Sequence, residues 1–467
     1  MGNVALCQPC VGQGREGTQK DVNQQSASIS KNDIGKMNFS TTNSTNTSSQ
    51  TNKNRQQNPA FQSNVNPNKE TFLIPFEDQL RKDKKVTIDD FKLLKMLGKG
   101  SFGKVMLVEY KTDGRLYAMK ILQKKTIQTD RQKRHTKTER FVLEKMKHPF
   151  IIQLNFAFQN PEKLYLVLDY MNGGELFQHL QKYGRFKEKV AQFYAAEILL
   201  AIEHLHENNI FYRDLKPENV LMGEDGHIKI ADFGLSFMTK TEEEYAKSMC
   251  GTPEYLAPEI LLSKKGHDKT VDWWSLGALI YEMLTGLPPF YSEDKKKMFQ
   301  NIISKPVPMP QYLSNKAISI LRRLLVVDPC KRLGYGPTGS NDIKNHPFFE
   351  DLDWERLLNK QLKPPLEFDL KGPEDLKYFD KQITKQEPKD TPVHPDLFNN
   401  GNAAFSNFTY MGQNFINKIV TIFYLLQFHS GKMKSKDDNA LLYTPENQSN
   451  LSSKSQEFQI DGTSLDQ

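Results

Sequence analysis

Apolar positions are sparse over the first 85 residues and become regular only from "VTIDDFKLLKMLGKG" (86–100), where ordered structure is expected to begin. Two strand-like runs follow, "FGKVMLVEY" and "LYAMKIL", separated by an Asp113-Gly114 turn signal, the pattern of a hairpin. A charged helical stretch from about Asp130 to Lys147 is stopped by Pro149, and "IIQLNFAF" and "KLYLVLDYM" supply two more strands. From Glu175 to about Phe349 the period turns helical, as in "KVAQFYAAEILLAIEHLHENN" (189–209) and "VDWWSLGALIYEMLTG" (271–286). Strands first and helices afterwards predict an α+β chain in two lobes, a small antiparallel-sheet lobe and a larger, mainly helical one. Beyond Phe349 a Pro- and Lys-rich stretch reads as an extended tail. No internal repeat with a period of about 20–50 residues is present.

Composition sharpens this division. Between Asn38 and Asn68, 23 of 31 residues are Asn, Gln, Ser or Thr. Such a stretch cannot offset its own ordering entropy, so about 11–75 is expected to be disordered, within a polar N-terminal region spanning 1–90. The 37% hydrophobic content and mean hydropathy of −0.62 agree that part of the 467 residues is not globular. The net charge of +7 comes from 63 basic and 56 acidic residues without a long basic block, so no nucleic acid is expected as a partner. Cys7, Cys10, Cys250 and Cys330 are too few and scattered for a disulfide framework, which suits a reducing cytosol. Cys7 and Cys10 form a lone C-x-x-C with no second pair for zinc. With no secretory leader and no run of ~18 apolar residues, a cytoplasmic location is expected, and the sequons at Asn38, Asn43 and Asn46 are expected to stay unglycosylated.

The chemistry-bearing motifs lie in the ordered part. "GKGSFGKV" places Gly98, Gly100 and Gly103 where a backbone could approach phosphates. A dinucleotide-binding unit needs a helix directly afterwards; here a second strand follows, so a dehydrogenase is not indicated. Lys120 lies in the strand "YAMK", and Glu139 lies in the charged helix within reach of it. "FYRDLKPENV" (211–220) offers Asp214 to accept a hydroxyl proton and Asn219 to hold a magnesium ion. "DFG" adds the carboxylate of Asp232 after the apolar strand "HIKIA". Phosphoryl transfer needs neutralised phosphate charge and an aligned nucleophile, and this ordered set over about 160 residues supplies both.

The set resembles the protein kinase signature. Residues 91–349 resemble a complete eukaryotic protein kinase domain, closing with "APE" (257–259), "DWWSLG" (272–277) and "DPCKRLG" (328–334). The resemblance implies a bilobal fold with ATP and Mg2+ between the lobes. Leu97, Val105, Ala118 and Leu221 would line the adenine site, and Asp169 and Met171 would meet the base through their backbone. Thr252 would lie in the substrate site, Glu259 would pair structurally with Arg332, and Asp272 would be structural. Lys216 beside Asp214, in "KPEN", marks a serine/threonine kinase. A dead scaffold would lack one of Lys120, Asp214, Asn219 and Asp232, which are all present; a small-molecule kinase would lack the "APE" loop and the tail.

"YRD", "MCGTPEYLAPE" (249–259) and the tail resemble the AGC group, near protein kinase B and the serum-regulated and ribosomal-protein kinases. The tail, 350–414, carries "YFD" (378–380), Thr391-Pro392 and Phe-x-x-Phe-Thr-Tyr (405–410), the last resembling the group's hydrophobic motif. That motif would fold back onto the small lobe beside the Glu139 helix. Burying Phe405, Phe408 and Tyr410 gains about 5–9 kcal/mol, against about 6–12 kcal/mol for ordering six residues. Phosphate on Thr409 would tip this balance. Ser248 resembles the activation-loop phosphosite, with Arg213 and His135 as its cations, although His135 also reads as a surface residue. The group's usual lysine is replaced here by Phe237, so one cation is missing. Thr391 is a third phosphosite, and upstream kinases acting on Ser248 and Thr409 are the implied partners, together with protein substrates. Glu175, Glu218 and Glu282 match positions that bind arginines upstream of the target hydroxyl in basophilic relatives. A monomer is expected.

The ends leave alternatives open. Gly2 suggests myristoylation, with Leu6 where Ser or Thr is usual and Cys7 as a palmitoylation candidate; membrane association would follow only from acylation, and an ordinary disordered start is the other reading. Unlike protein kinase B, the chain shows no phosphoinositide-binding domain ahead of the kinase, because 1–90 is too polar and too short of strands. "FINKIVTIFYLLQF" (415–428), which carries Lys418 and precedes a polar end running to 467, reads as an extra helix on the lobe, an interfacial segment or a wrongly joined exon.

Overall fold

The computed structural model describes residues 86–100, 103–239, 245–390, 405–412 and 415. Gly2, the Cys7/Cys10 pair, the sequons at Asn38, Asn43 and Asn46, Thr391 and the run after Phe415 lie outside them. The polar N-terminal region up to residue 85 lies outside them as well.

The small lobe is built on β1 (Phe91–Lys99), β2 (Gly103–Tyr110), β3 (Leu116–Gln123), β4 (Leu154–Gln159) and β5 (Lys163–Asp169). They pair antiparallel in the order β1-β2-β3-β5-β4, and a short tail strand, Tyr410–Met411, adds to the free edge of β4. The β2–β3 turn falls at the expected Asp113-Gly114, with Gly114 at φ +68°, where a side chain would be strained. Helix α1 (Asp130–Lys145) starts at a capping box: the Thr129 hydroxyl accepts from Gln132 N–H at 3.2 Å, and Gln132 Oε1 accepts from Thr129 N–H at 2.9 Å. It ends two residues before the expected Lys147. The strand expected from Ile151 begins at Leu154, because Ile151 bridges instead to Ile230 in the other lobe.

The large lobe packs around α2 (Leu176–Tyr183), α3 (Glu188–Glu207) and α5 (Thr270–Thr285), with the short α4 (Pro258–Leu262) beside them. Almost every residue of α5 is buried, Trp273 and Trp274 included, so it is a core helix with no polar face. Gly286 at φ +93° stops it. A small sheet of Gly174–Glu175, β6 (Val220–Met222) and β7 (Ile228–Ile230) carries the expected "HIKIA" strand in shortened form. The stretch after Phe349 is less extended than expected: it forms short helices at Trp354–Leu358 and Lys381–Thr384. Its "YFD" segment packs on the lobes, with Tyr378 against His179 of α2 and Phe379 stacked on Tyr170, at centroid distances of 4.9 and 6.2 Å.

One buried ion pair ties α4 to the chain beyond α5. Arg332 Nη1 and Nη2 donate to Glu259 Oε1 and Oε2 at 2.6 and 2.8 Å, and Arg332 also donates to the carbonyls of Thr270 and Val326. Its guanidinium lies 5.3 Å from the Trp274 ring. Removing one partner of such a pair strands a charge in the core. Glu259→Ala is therefore expected to cost about 3–5 kcal/mol, read from the midpoint of urea unfolding at unchanged slope.

Candidate active site

The cleft between the lobes gathers the charged residues of four separate motifs. Lys120 lies in the middle of β3, paired in register with Val105 and Leu166. Its Nζ donates to Glu139 Oε1 of α1 at 2.5 Å and lies 3.7 Å from Asp232 Oδ1. Burial works against the ammonium, but the Asp232 and Glu139 carboxylates outweigh it and hold Lys120 above the ordinary lysine range. Lys120 in turn holds Asp232 below the usual carboxylate range. Asp232 takes φ +58°, a conformation rare for a side-chain-bearing residue.

Asp214 is buried and held from three sides. Thr252 Oγ1–H donates to its Oδ1 at 2.9 Å, Lys216 Nζ lies 3.1 Å from its Oδ2, and Asn219 Nδ2 donates to the same Oδ2 at 3.0 Å. Lys216 also donates to Thr252 Oγ1 at 3.0 Å. Burial pushes Asp214 above the usual carboxylate range, opposed by Lys216 and aided by Asp232. The loop bearing it is gripped by Asp272, which is fully buried on α5 and accepts from the N–H groups of Tyr212 and Arg213 at 2.9 and 2.7 Å. Arg213 is thereby held at φ +68°.

Val105, Ala118, Met171 and Leu221 are half-buried, whereas Leu97 is buried. The Asp169 carboxylate is consumed inside the protein, by Lys229 at 2.5 Å and Asn155 at 3.0 Å, and its N–H donates to the Gln153 carbonyl at 3.1 Å, so only its carbonyl is left to meet a ligand. Gly98 and Gly100 flank the end of β1. Gly103 has a plain packing reason: a Cβ there would fall 1.8 Å from the Ile121 carbonyl oxygen. The amide and carboxylate oxygens of Asn219 and Asp232 are hard donors suited to magnesium, and the Lys120 ammonium complements phosphate.

A second group of charges is acidic. Burial pushes Glu175 up to about 7, with Glu218 adding repulsion and Lys216 opposing it. Glu282 is also pushed up to about 7 by burial, with the Tyr255 hydroxyl donating to it and with Glu218 and Glu254 nearby. Glu282 is less open than the sequence suggested, since it lies almost wholly inside the fold. Glu218 Oε2 is buried with no hydrogen-bond partner among the described residues.

The tail reaches the Glu139 helix. Phe405 and Phe408 are buried in the larger core cluster, whereas Tyr410, expected to be buried with them, is only half-buried beneath the Arg140 guanidinium at 5.7 Å. Thr409 is exposed. Arg140, adjacent to Glu139, donates to the carbonyls of Phe408 and Thr409 at 3.0 and 3.2 Å, and Gln159 donates to that of Phe405 at 2.5 Å. Neither residue was identifiable from the sequence, because each serves a backbone atom far along the chain. Arg213 Nη1 donates to the exposed Ser248 hydroxyl at 2.9 Å, and Phe237 lies 5.3 Å from the Arg213 guanidinium. A cavity of about 820 Å³ beside Ser248 is lined by His135 and also by Arg131 and Arg134, which the sequence reading missed. These three lie on one face of α1 at i, i+3 and i+4, a spacing that could have found them.

With this geometry in place, the protein kinase domain family matches residues 91–349, and the protein kinase C terminal domain matches residues 370–410. The chain belongs to the protein kinase family. Within it the chain is a serine/threonine kinase of the AGC group, a family that uses ATP and Mg2+. It is 47% identical over 331 residues to serine/threonine-protein kinase YPK1 of Saccharomyces cerevisiae, covering 71% of this chain and 48% of the relative. It is 46% identical to the RAC family serine/threonine-protein kinase homolog of Dictyostelium discoideum, covering 74% and 78%. It is 48% identical to serine/threonine-protein kinase Sgk2 of Homo sapiens, covering 69% and 88%. The match thus spans about half the length of the yeast relative.

Proposed function

We propose that the chain phosphorylates serine and threonine hydroxyls of proteins carrying arginines upstream of the target, and that phosphates on Ser248 and Thr409 switch it on. The observation that carries the catalytic part is the three-sided grip on Asp214, which aims one buried carboxylate into the cleft at a raised proton affinity. Asp214 accepts the proton of the attacking hydroxyl, and Thr252 and Lys216 keep its carboxylate oriented. Lys120, fixed by Glu139, orients the phosphates of ATP. Magnesium, when bound through Asn219 and Asp232, neutralises phosphate charge.

Two features support the choice of substrate. Glu175, Glu218 and Glu282 crowd negative charge into burial, and one carboxylate oxygen of Glu218 is unpartnered among the described residues. A guanidinium is the group that satisfies such a site, through bidentate charge-assisted hydrogen bonds. For the loop switch, Arg213 already contacts Ser248, while His135, Arg131 and Arg134 line the same cavity. The arginines make good the cation that Phe237 does not supply. Thr409 is exposed on a tail segment whose backbone is held by the residue next to Glu139, so its modification can reach the cleft through α1. Free Cys250 and Cys330 support a cytoplasmic location.

Asp214→Asn is expected to lower kcat by about 10²–10⁴ with little change in KM for ATP, measured on a peptide substrate with purified protein. Wild-type kcat in that variant would overturn the catalytic assignment. Glu175 and Glu282 ionise as pH rises through about 7. The KM advantage of a peptide with upstream arginines over its alanine counterpart should therefore grow from about pH 6 to about pH 8, with kcat affected far less. Equal use of both peptides across that range would refute the arginine preference. Ser248→Ala should lower activity about ten-fold or more, the worth of one hydrogen bond to a charged group, when compared with wild type phosphorylated at Ser248.

A further inference from the structure

The tail does not stop at the hydrophobic motif. Tyr410 and Met411 pair antiparallel with Ala157 and Phe156 of β4, and Gly412 N–H continues the ladder to the Asn155 carbonyl at 2.8 Å. A Cβ on Gly412 would sit only 3.0 Å from that same oxygen, so the approach is tight. Successive residues of a strand face opposite sides of a sheet. Tyr410 accordingly joins the cluster of Phe405 and Phe408 on the α1 side, whereas Met411 joins the cluster of the opposite face, which contains Phe91, Tyr110, Phe156 and Phe158. Phe415 follows on that outer face. Its ring meets Phe156 at 5.0 Å and Tyr110 at 5.4 Å, both edge to face, and its N–H donates to the Gly412 carbonyl at 3.1 Å.

We propose that Phe415 is a positioning residue: it is the outer jaw of a clamp by which the tail straddles the edge of β4. Phe405 and Phe408 form the inner jaw, and the Tyr410–Met411 strand is the bridge between them. The clamp acts on the cleft through Arg140, which holds the tail backbone beside Glu139. An inner jaw alone leaves docking close to balance. An outer ring adds affinity that needs no phosphate, so Phe415 sets how much of the tail's hold on α1 is already present before Thr409 is modified. The effect on activity rests on the reading of the tail as a switch; the clamp itself does not.

The test uses the full chain, as wild type, Phe415→Ala and Phe415→Leu, each with Thr409 unmodified and phosphorylated. Hydrogen exchange is followed at residues 410–412. In Phe415→Ala, protection of those amides should fall about ten-fold, and activity with unmodified Thr409 should fall about ten-fold. Phosphorylation of Thr409 should restore most of that activity, and Phe415→Leu should restore most of both readouts without phosphate. A ring that merely stabilised the lobe would lower activity in both phosphorylation states alike, which would overturn the proposal, as would unchanged exchange in Phe415→Ala. Lost protection with unchanged activity would overturn the positioning role; if Thr409→Ala were then equally silent, the failure would belong to the tail-switch reading.

Discussion

The 2.5 Å contact between Lys120 Nζ and Glu139 Oε1 joins a strand to a helix that share no backbone ladder. Asp232, arriving on a third segment, completes the group with a second carboxylate at 3.7 Å. Each partner is costly to bury alone, and the cost is offset only when all three are in place. The position of α1 is therefore the variable on which the cleft depends. From outside, Arg140 of α1 holds the tail backbone, and Arg131, Arg134 and His135 of α1 line the cavity beside Ser248. Neighbours on a helix project about 100° apart, so Glu139 and Arg140 let one turn face the cleft and the tail at once.

Two opposite uses of burial stand side by side in the large lobe. Around Asp214 and Asp272 the carboxylates are desolvated but supplied with donors, and the result is a fixed loop geometry, including the strained backbone of Arg213. Around Glu175, Glu218 and Glu282 desolvation is supplied with fewer donors, and burial raises proton affinity there as it does at Asp214. The first arrangement holds a shape and the second holds a demand for a cation.

Most of the architecture was legible because its signals are local. The β2–β3 hairpin announced itself by Asp113-Gly114, α1 by its stop at Pro149, and the large lobe by long apolar helical runs. The charged set at Lys120, Glu139, Asp214, Asn219 and Asp232 was legible by order and spacing. Other residues were not. Gly103 was read as a phosphate neighbour, but its immediate need is clearance from Ile121 on the paired strand. Tyr410 was grouped with its aromatic neighbours and does share their side of the sheet, but it lies beneath the Arg140 guanidinium and is only half-buried. Arg140 and Gln159 bind carbonyl groups of a tail segment remote in sequence, and a carbonyl leaves no trace in residue type.

The sequence by itself determined the fold class, the two-lobe order, the family and the identity of the charged residues, because periodicity, turn chemistry and motif spacing are written within short windows. Only the tertiary structure decided what surrounds those residues. It placed Arg131 and Arg134 beside Ser248, left one Glu218 oxygen unpartnered among the described residues, and carried the tail across the edge of β4 to set Phe415 on Phe156 and Tyr110. These depend on which surfaces meet once the chain is compact, and on desolvation there, neither of which any single stretch of residues contains.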